Sequence, residues 1–122
     1  MPDANILVLI GRIVLGLFFI IAGVRNFLAF GDRTQMTTNY GRKLPPAVLA
    51  IGFAAQLVGG LAVALGIGTI WGAALLIVFL VAATALFHNF LLFQGAERAP
   101  HLYFTLVNCS LVGYCLMVIG TA

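Results

Sequence analysis

Charge is what this 122-residue sequence has least of: Asp, Glu, Lys and Arg together make up 7% of it, where an ordinary soluble domain carries roughly a quarter. From Leu44 to Ala96 there is no such residue, and none follows from Ala99 to Ala122. Surfaces this poor in charge exclude water as the solvent for most of the chain. Acidic side chains number three, and Asp3, Asp32 and Glu97 all lie outside the apolar runs, which disfavours a proton-coupled transporter built on a buried carboxylate. Cysteine is scarce as well. Cys109 and Cys115 share the last apolar run, which excludes a disulfide framework, and their spacing turns them to different faces of a helix, which disfavours an intramolecular dithiol relay. Basic residues gather at the ends of the apolar runs rather than in a patch that follows a phosphate backbone, and nucleic acid is not expected as a partner. Neither a Gly-rich dinucleotide fingerprint nor a phosphate-binding loop is present.

What remains is apolar and periodic: 63% of the residues are hydrophobic, and they fall into four runs, about 6–30, 47–65, 69–92 and 102–119. Each is long enough to cross a hydrocarbon layer of about 30 Å as an α-helix. The predicted fold is therefore all-α, a polytopic four-transmembrane-helix bundle forming a single domain over residues 1–122. The first run is too long for a signal-peptide core and is not followed by a small-x-small cleavage site, so it is expected to stay in the mature protein. The separators differ in chemistry. Gly31 to Pro46 is polar and ends in two prolines, Gly66-Ile67-Gly68 is a tight turn, and Phe93 to Pro100 carries Gln94, Glu97 and Arg98.

Alternation of the spans puts both termini and the Gly66 turn on one side, A, and the two polar loops on the other, B. Arg33, Arg42, Lys43 and Arg98 belong to side B, whereas only Arg12 lies near side A. The positive-inside rule makes loops 31–46 and 93–100 cytoplasmic.

Polar groups inside spans are costly and turn toward protein, so their depth and face carry the functional signal. At the helical rise, Arg25, Asn26 and His88 sit about 6 to 8 Å below the side-B boundary. Asn108 lies somewhat deeper and Gln56 near mid-membrane. Arg12, Gly16, Phe19, Gly23 and Asn26 follow the spacing of one helix face. Gly52, Gln56, Gly60 and Ala64 recur every fourth residue and place an amide on a seam of small residues where backbones can approach. Thr84 stands one turn before His88, and Thr105, Asn108, Val112 and Cys115 share a face. The candidate polar pocket is thus Arg12, Asn26, Gln56, Thr84, His88 and Asn108. The plain alternatives are that Arg25 snorkels to the headgroups, that the amides only tie helices together, and that His88 is a satisfied interfacial side chain. No metal or catalytic constellation is complete, and His101 sits too near the water boundary for a bis-histidine haem.

Several motifs resemble one family. Leu9-Ile10-Gly11-Arg12-Ile13 with Phe18 to Gly23, then Lys43-Leu44-Pro45-Pro46-Ala47, Phe87-His88-Asn89-Phe90, and Asn108-Cys109-Ser110-Leu111-Val112-Gly113 are similar to the successive spans of DoxX-like membrane proteins. Such proteins often carry a glutamate in the middle of span two and a lysine before the span-four asparagine. Gln56 and Val107 occupy those positions here, so the charged pair is lost together. The resemblance implies a bacterial-type inner-membrane protein linked with redox processes: an accessory subunit beside other membrane-protein subunits, with no resident cofactor and with quinone or lipid as the pocket ligand. A stand-alone membrane oxidoreductase or small-molecule carrier and a purely structural subunit stay open beside it.

Overall fold

The computed structural model describes residues 4–122. Four long helices carry the chain back and forth: α1 (Ala4–Leu28), α3 (Pro46–Leu65), α4 (Thr69–Phe87) and α5 (Arg98–Thr121), with a short α2 (Phe30–Thr34) continuing from the end of α1. All four long helices have the length and apolarity to cross a membrane. Their outward faces confirm the solvent, since Leu28, Ile51 and Trp71 are 70% or more exposed, which suits hydrocarbon or its interface and would be costly in water. The chain is a multi-pass integral membrane protein with a four-helix bundle, as its charge-free runs predict.

Helix ends follow from local chemistry. Pro46 opens α3 at a position where its missing N–H costs nothing. Gly66, at φ +73°, closes it, and the N–H groups of Gly66 and Ile67 both donate to the Ala62 carbonyl at 3.0 and 3.1 Å. The α4 helix proper stops at Phe87, while the apolar run of the third span continues to Leu92 through a 3-10 turn whose Asn89 side chain accepts from the Leu91 N–H. The fourth span starts earlier than its apolar run suggests, because α5 recruits Arg98 to Pro100 as its first turn.

Packing runs in chain order, α1 on α3, α3 on α4 and α4 on α5, with only a slight contact of α1 with α5. The first two junctions depend on glycine. A Cβ on Gly16 would stand 2.6 Å from the Gly60 carbonyl oxygen and from the Ala64 Cβ, and one on Gly72 would stand 2.5 Å from the Ala62 Cβ. Helix backbones therefore touch on both flanks of α3, in the manner of small-residue seams in membranes. The densest core lies in the side-A half, where Phe19, Val63, Leu76 and Cys115 are almost entirely buried.

The loop of residues 35–44 is not a free connector. Thr37 and Lys43 form an isolated antiparallel bridge, and the Asn39 N–H donates to the Leu86 carbonyl at 2.7 Å while its side-chain amide reaches the Ala85 carbonyl at 3.1 Å. The last turn of α4 thus has its orphan carbonyls satisfied from outside the helix.

Gly16→Val is expected to destabilise the detergent-solubilised protein by about 1 to 3 kcal/mol through overpacking. Gly113→Ala, which would meet nothing within 4 Å, should stay within about 0.5 kcal/mol of the parent. Thermal midpoints of the two variants in one detergent check the pair, and equal midpoints would dismiss the seam.

Candidate functional site

Where α1, α3, α4 and α5 approach side B, the core gives way to polar side chains. Asn26, near the end of α1, donates from Nδ2 to Oε1 of Gln56 at 2.8 Å. Its Oδ1 accepts from Nε of Arg33 at 3.0 Å. Gln56 is buried on the α3 seam, so the amide left in hydrocarbon by its position is satisfied across the helix interface. Arg33 comes from α2. The turn of helix beyond Leu28 carries that arginine back over the bundle interior, and the chain there makes the Asn26–Arg33 spacing two helical turns.

On the facing helices a second set forms. Asn108 of α5 donates to the Thr84 hydroxyl at 2.9 Å, which in turn donates to the Leu80 carbonyl at 2.7 Å. Nδ1 of His88 lies 3.3 Å from Nδ1 of His101, within hydrogen-bond reach when either ring carries its proton on Nδ1. Aromatic rings flank both imidazoles: Phe104 stacks on His88 with centroids 4.8 Å apart, and Phe93 on His101 at 3.8 Å. The Thr105 hydroxyl lies 2.7 Å from the His88 carbonyl and 2.9 Å from that of His101, holding the end of α4 against α5.

Between these two sets is a cavity of about 340 Å³. Asn26, Arg33, His88 and Asn108 give it polar groups, Phe53, Phe79 and Phe104 give it aromatic walls, and Met36 and Leu44 of the loop floor it. A second cavity, about 480 Å³, lies between α4 and α5 and also touches Thr84, His88 and Asn108. The sequence-predicted residues Asn26, Gln56, Thr84, His88 and Asn108 are therefore brought to one end of the bundle. Arg12 is not. It shares the Asn26 face of α1 but stands fourteen residues away, about 21 Å along the axis, and its guanidinium meets the Gly66 turn at side A. Arg25 is exposed, consistent with a headgroup-facing side chain.

Sequence reasoning missed two members. Arg33 was read only as a loop charge that sets topology, although its spacing from Asn26 was the available signal. His101 was placed at the water boundary, and only the unwinding of the chain between Phe87 and Arg98 brings it beside His88.

A four-span membrane protein with a polar-ended cavity between its helices is the class these features define. Residues 7–89 match the DoxX family model, and the chain belongs to the DoxX family. The matched stretch spans α1 through the end of α4, so Asn108 and His101 on α5 lie beyond it. No curated protein and no solved structure gives a match.

Asn26→Leu and Gln56→Leu should couple in a double-mutant cycle by about 0.6 kcal/mol, and by no more than about 1.7, as interhelical amide pairs do in membranes. Stability of the four species in one detergent measures this, and strict additivity would remove the bond from the account.

Proposed function

We propose that this protein is an accessory subunit of a larger redox complex in a bacterial-type inner membrane, its side-B loops cytoplasmic, and that the side-B cavity receives a quinone head group or a lipid. The observation that carries this reading is the cavity itself. Its volume falls within the range of small-molecule sites, its walls are aromatic, and hydrogen-bonding groups face it from two sides, Asn26 and Arg33 on one and His88 and Asn108 on the other. A quinone head group presents a flat apolar ring and two carbonyl acceptors. Phe53, Phe79 and Phe104 suit the ring, and the guanidinium of Arg33 with the free amide hydrogens of Asn26 and Asn108 suit the carbonyls.

Reduction of a quinone takes up two electrons and two protons, and oxidation of the quinol returns them. In this reading the His88–His101 pair, its Nδ1 atoms 3.3 Å apart, passes protons to the cavity that His88 lines. The electrons come from the cofactor-bearing partner that the accessory reading requires. Gln56, where the family often has glutamate, holds Asn26 at the cavity wall and does no acid–base work, since an amide neither takes nor releases a proton there.

The pairing of Asn26 with Gln56 and of Asn108 with Thr84 favours one other reading, a structural subunit whose amides only fix helix register. Extraction in mild detergent followed by purification tests both against the lone-enzyme view: a cofactor-bearing partner is expected in fixed stoichiometry, and a monodisperse single chain would defeat the accessory role. Photolabelling with a quinone analogue then separates the first two. His88→Ala is expected to reduce labelling about tenfold while the complex still assembles, a loss of about 1.4 kcal/mol in binding. Labelling that His88→Ala leaves intact would take His88 out of the site, and no labelling of the parent complex would leave the structural reading.

A further inference from the structure

At the opposite end of the bundle, Arg12 is unexplained by the side-B cavity. Its Nε is shut off from solvent and has no hydrogen-bond partner. The guanidinium lies flat against Gly66, where a Cβ would meet Nη2 at 2.7 Å and Cζ at 3.1 Å. Gly66 thus serves two needs, the left-handed turn and the room for the cation. No acidic side chain among the described residues shares this half of the molecule, because Asp32 and Glu97 both belong to side B. A cation held at this depth with no ion pair among the described residues is stabilised when an anion reaches it.

The surroundings say where an anion would sit. Arg12 and the Gly66 turn line an open cavity of about 450 Å³ together with Gly68, Thr69, Ile70, Trp71, Thr121 and Ala122. The first turn of α4 forms one wall, and its Gly68 cap offers no side-chain acceptor, so the N–H groups of Thr69, Ile70 and Trp71 add donors and the positive end of the helix dipole. Ile67, Ile70 and Trp71 are exposed around the opening, Ile67 at 71% and Trp71 at 82%. Apolar and indole side chains in that position face the acyl–headgroup boundary. Guanidinium and backbone N–H groups together recognise phosphate oxygens, which accept from both.

We infer that Arg12 and the start of α4 form a phosphate-binding site at the side-A face, filled by the headgroup phosphate of a phospholipid whose acyl chains lie along Ile67, Ile70 and Trp71. The site is independent of the quinone reading, because it shares no residue with that cavity.

Trp71 is the sole tryptophan of the chain, and its fluorescence reports on the site directly. The detergent-solubilised protein, titrated with phosphatidylglycerol, is expected to give a saturable change in Trp71 emission. Arg25→Gln, an exposed side-B control, should give the same curve. Arg12→Gln should weaken it at least tenfold, and Arg12→Lys should recover part of the loss. Diacylglycerol with the same acyl chains should give no saturable change, and if it matches phosphatidylglycerol the inference is overturned. Inorganic phosphate reproducing the change at millimolar concentration would keep the phosphate site and assign it to a free anion. An unchanged titration in Arg12→Gln, or no response from the parent, would overturn the site. Should Arg12→Gln fail to fold, the comparison of phosphatidylglycerol with diacylglycerol on the parent protein decides alone.

Discussion

The close approach of α3 to both of its neighbours is the contact on which the rest of this molecule depends. Lipid offers no hydrophobic reward for helix association, so adhesion must come from backbone-level packing and from polar groups with nowhere else to turn. Gly16 against Gly60, and Gly59 with Gly72, bring three helices within reach of one another. That proximity places Asn26 within 2.8 Å of Gln56. With longer side chains at the seam, the amides would face hydrocarbon unpaired, at a cost of a few kcal/mol each.

The same contact explains the asymmetry of the bundle. Phe19, Val63, Leu76 and Cys115 close the interior of the side-A half and leave only the open cavity at its face, whereas polar side chains hold the side-B half apart around two cavities. The tightest packing and the cavity between the helices are thus divided along the membrane normal. α5 is the helix on which this division depends, since it closes the core through Cys115 and Val118 and supplies Asn108, Thr105 and His101 at the other end.

Much of this was legible in the amino-acid sequence. Stretches without a single charge specify the four spans, because nothing else in the chain can be solvated by lipid for that length. Gln56 on a four-residue repeat of small side chains announces a buried, partnered amide, and Thr84 and Asn108, assigned to one candidate pocket, do meet. Depth is also where the reading of Arg12 failed as a pocket member: a helical stripe fixes a face but says nothing of distance along it, and 1.5 Å per residue carries Arg12 away from Asn26. The roles of Arg33, His101 and Asn39 depend on how irregular segments fold back, and periodicity has no hold on segments without a period.

One consequence follows from the way the first polar loop is fastened. Asn39 is tied to the carbonyls of Ala85 and Leu86, while Met36 and Leu44 of the same loop and Leu86 of that helix border the cavity. A force applied to this exposed strap from the aqueous face is therefore delivered straight to the floor and side of the chamber beneath it. Whatever grips the strap holds the same segment that lines the chamber.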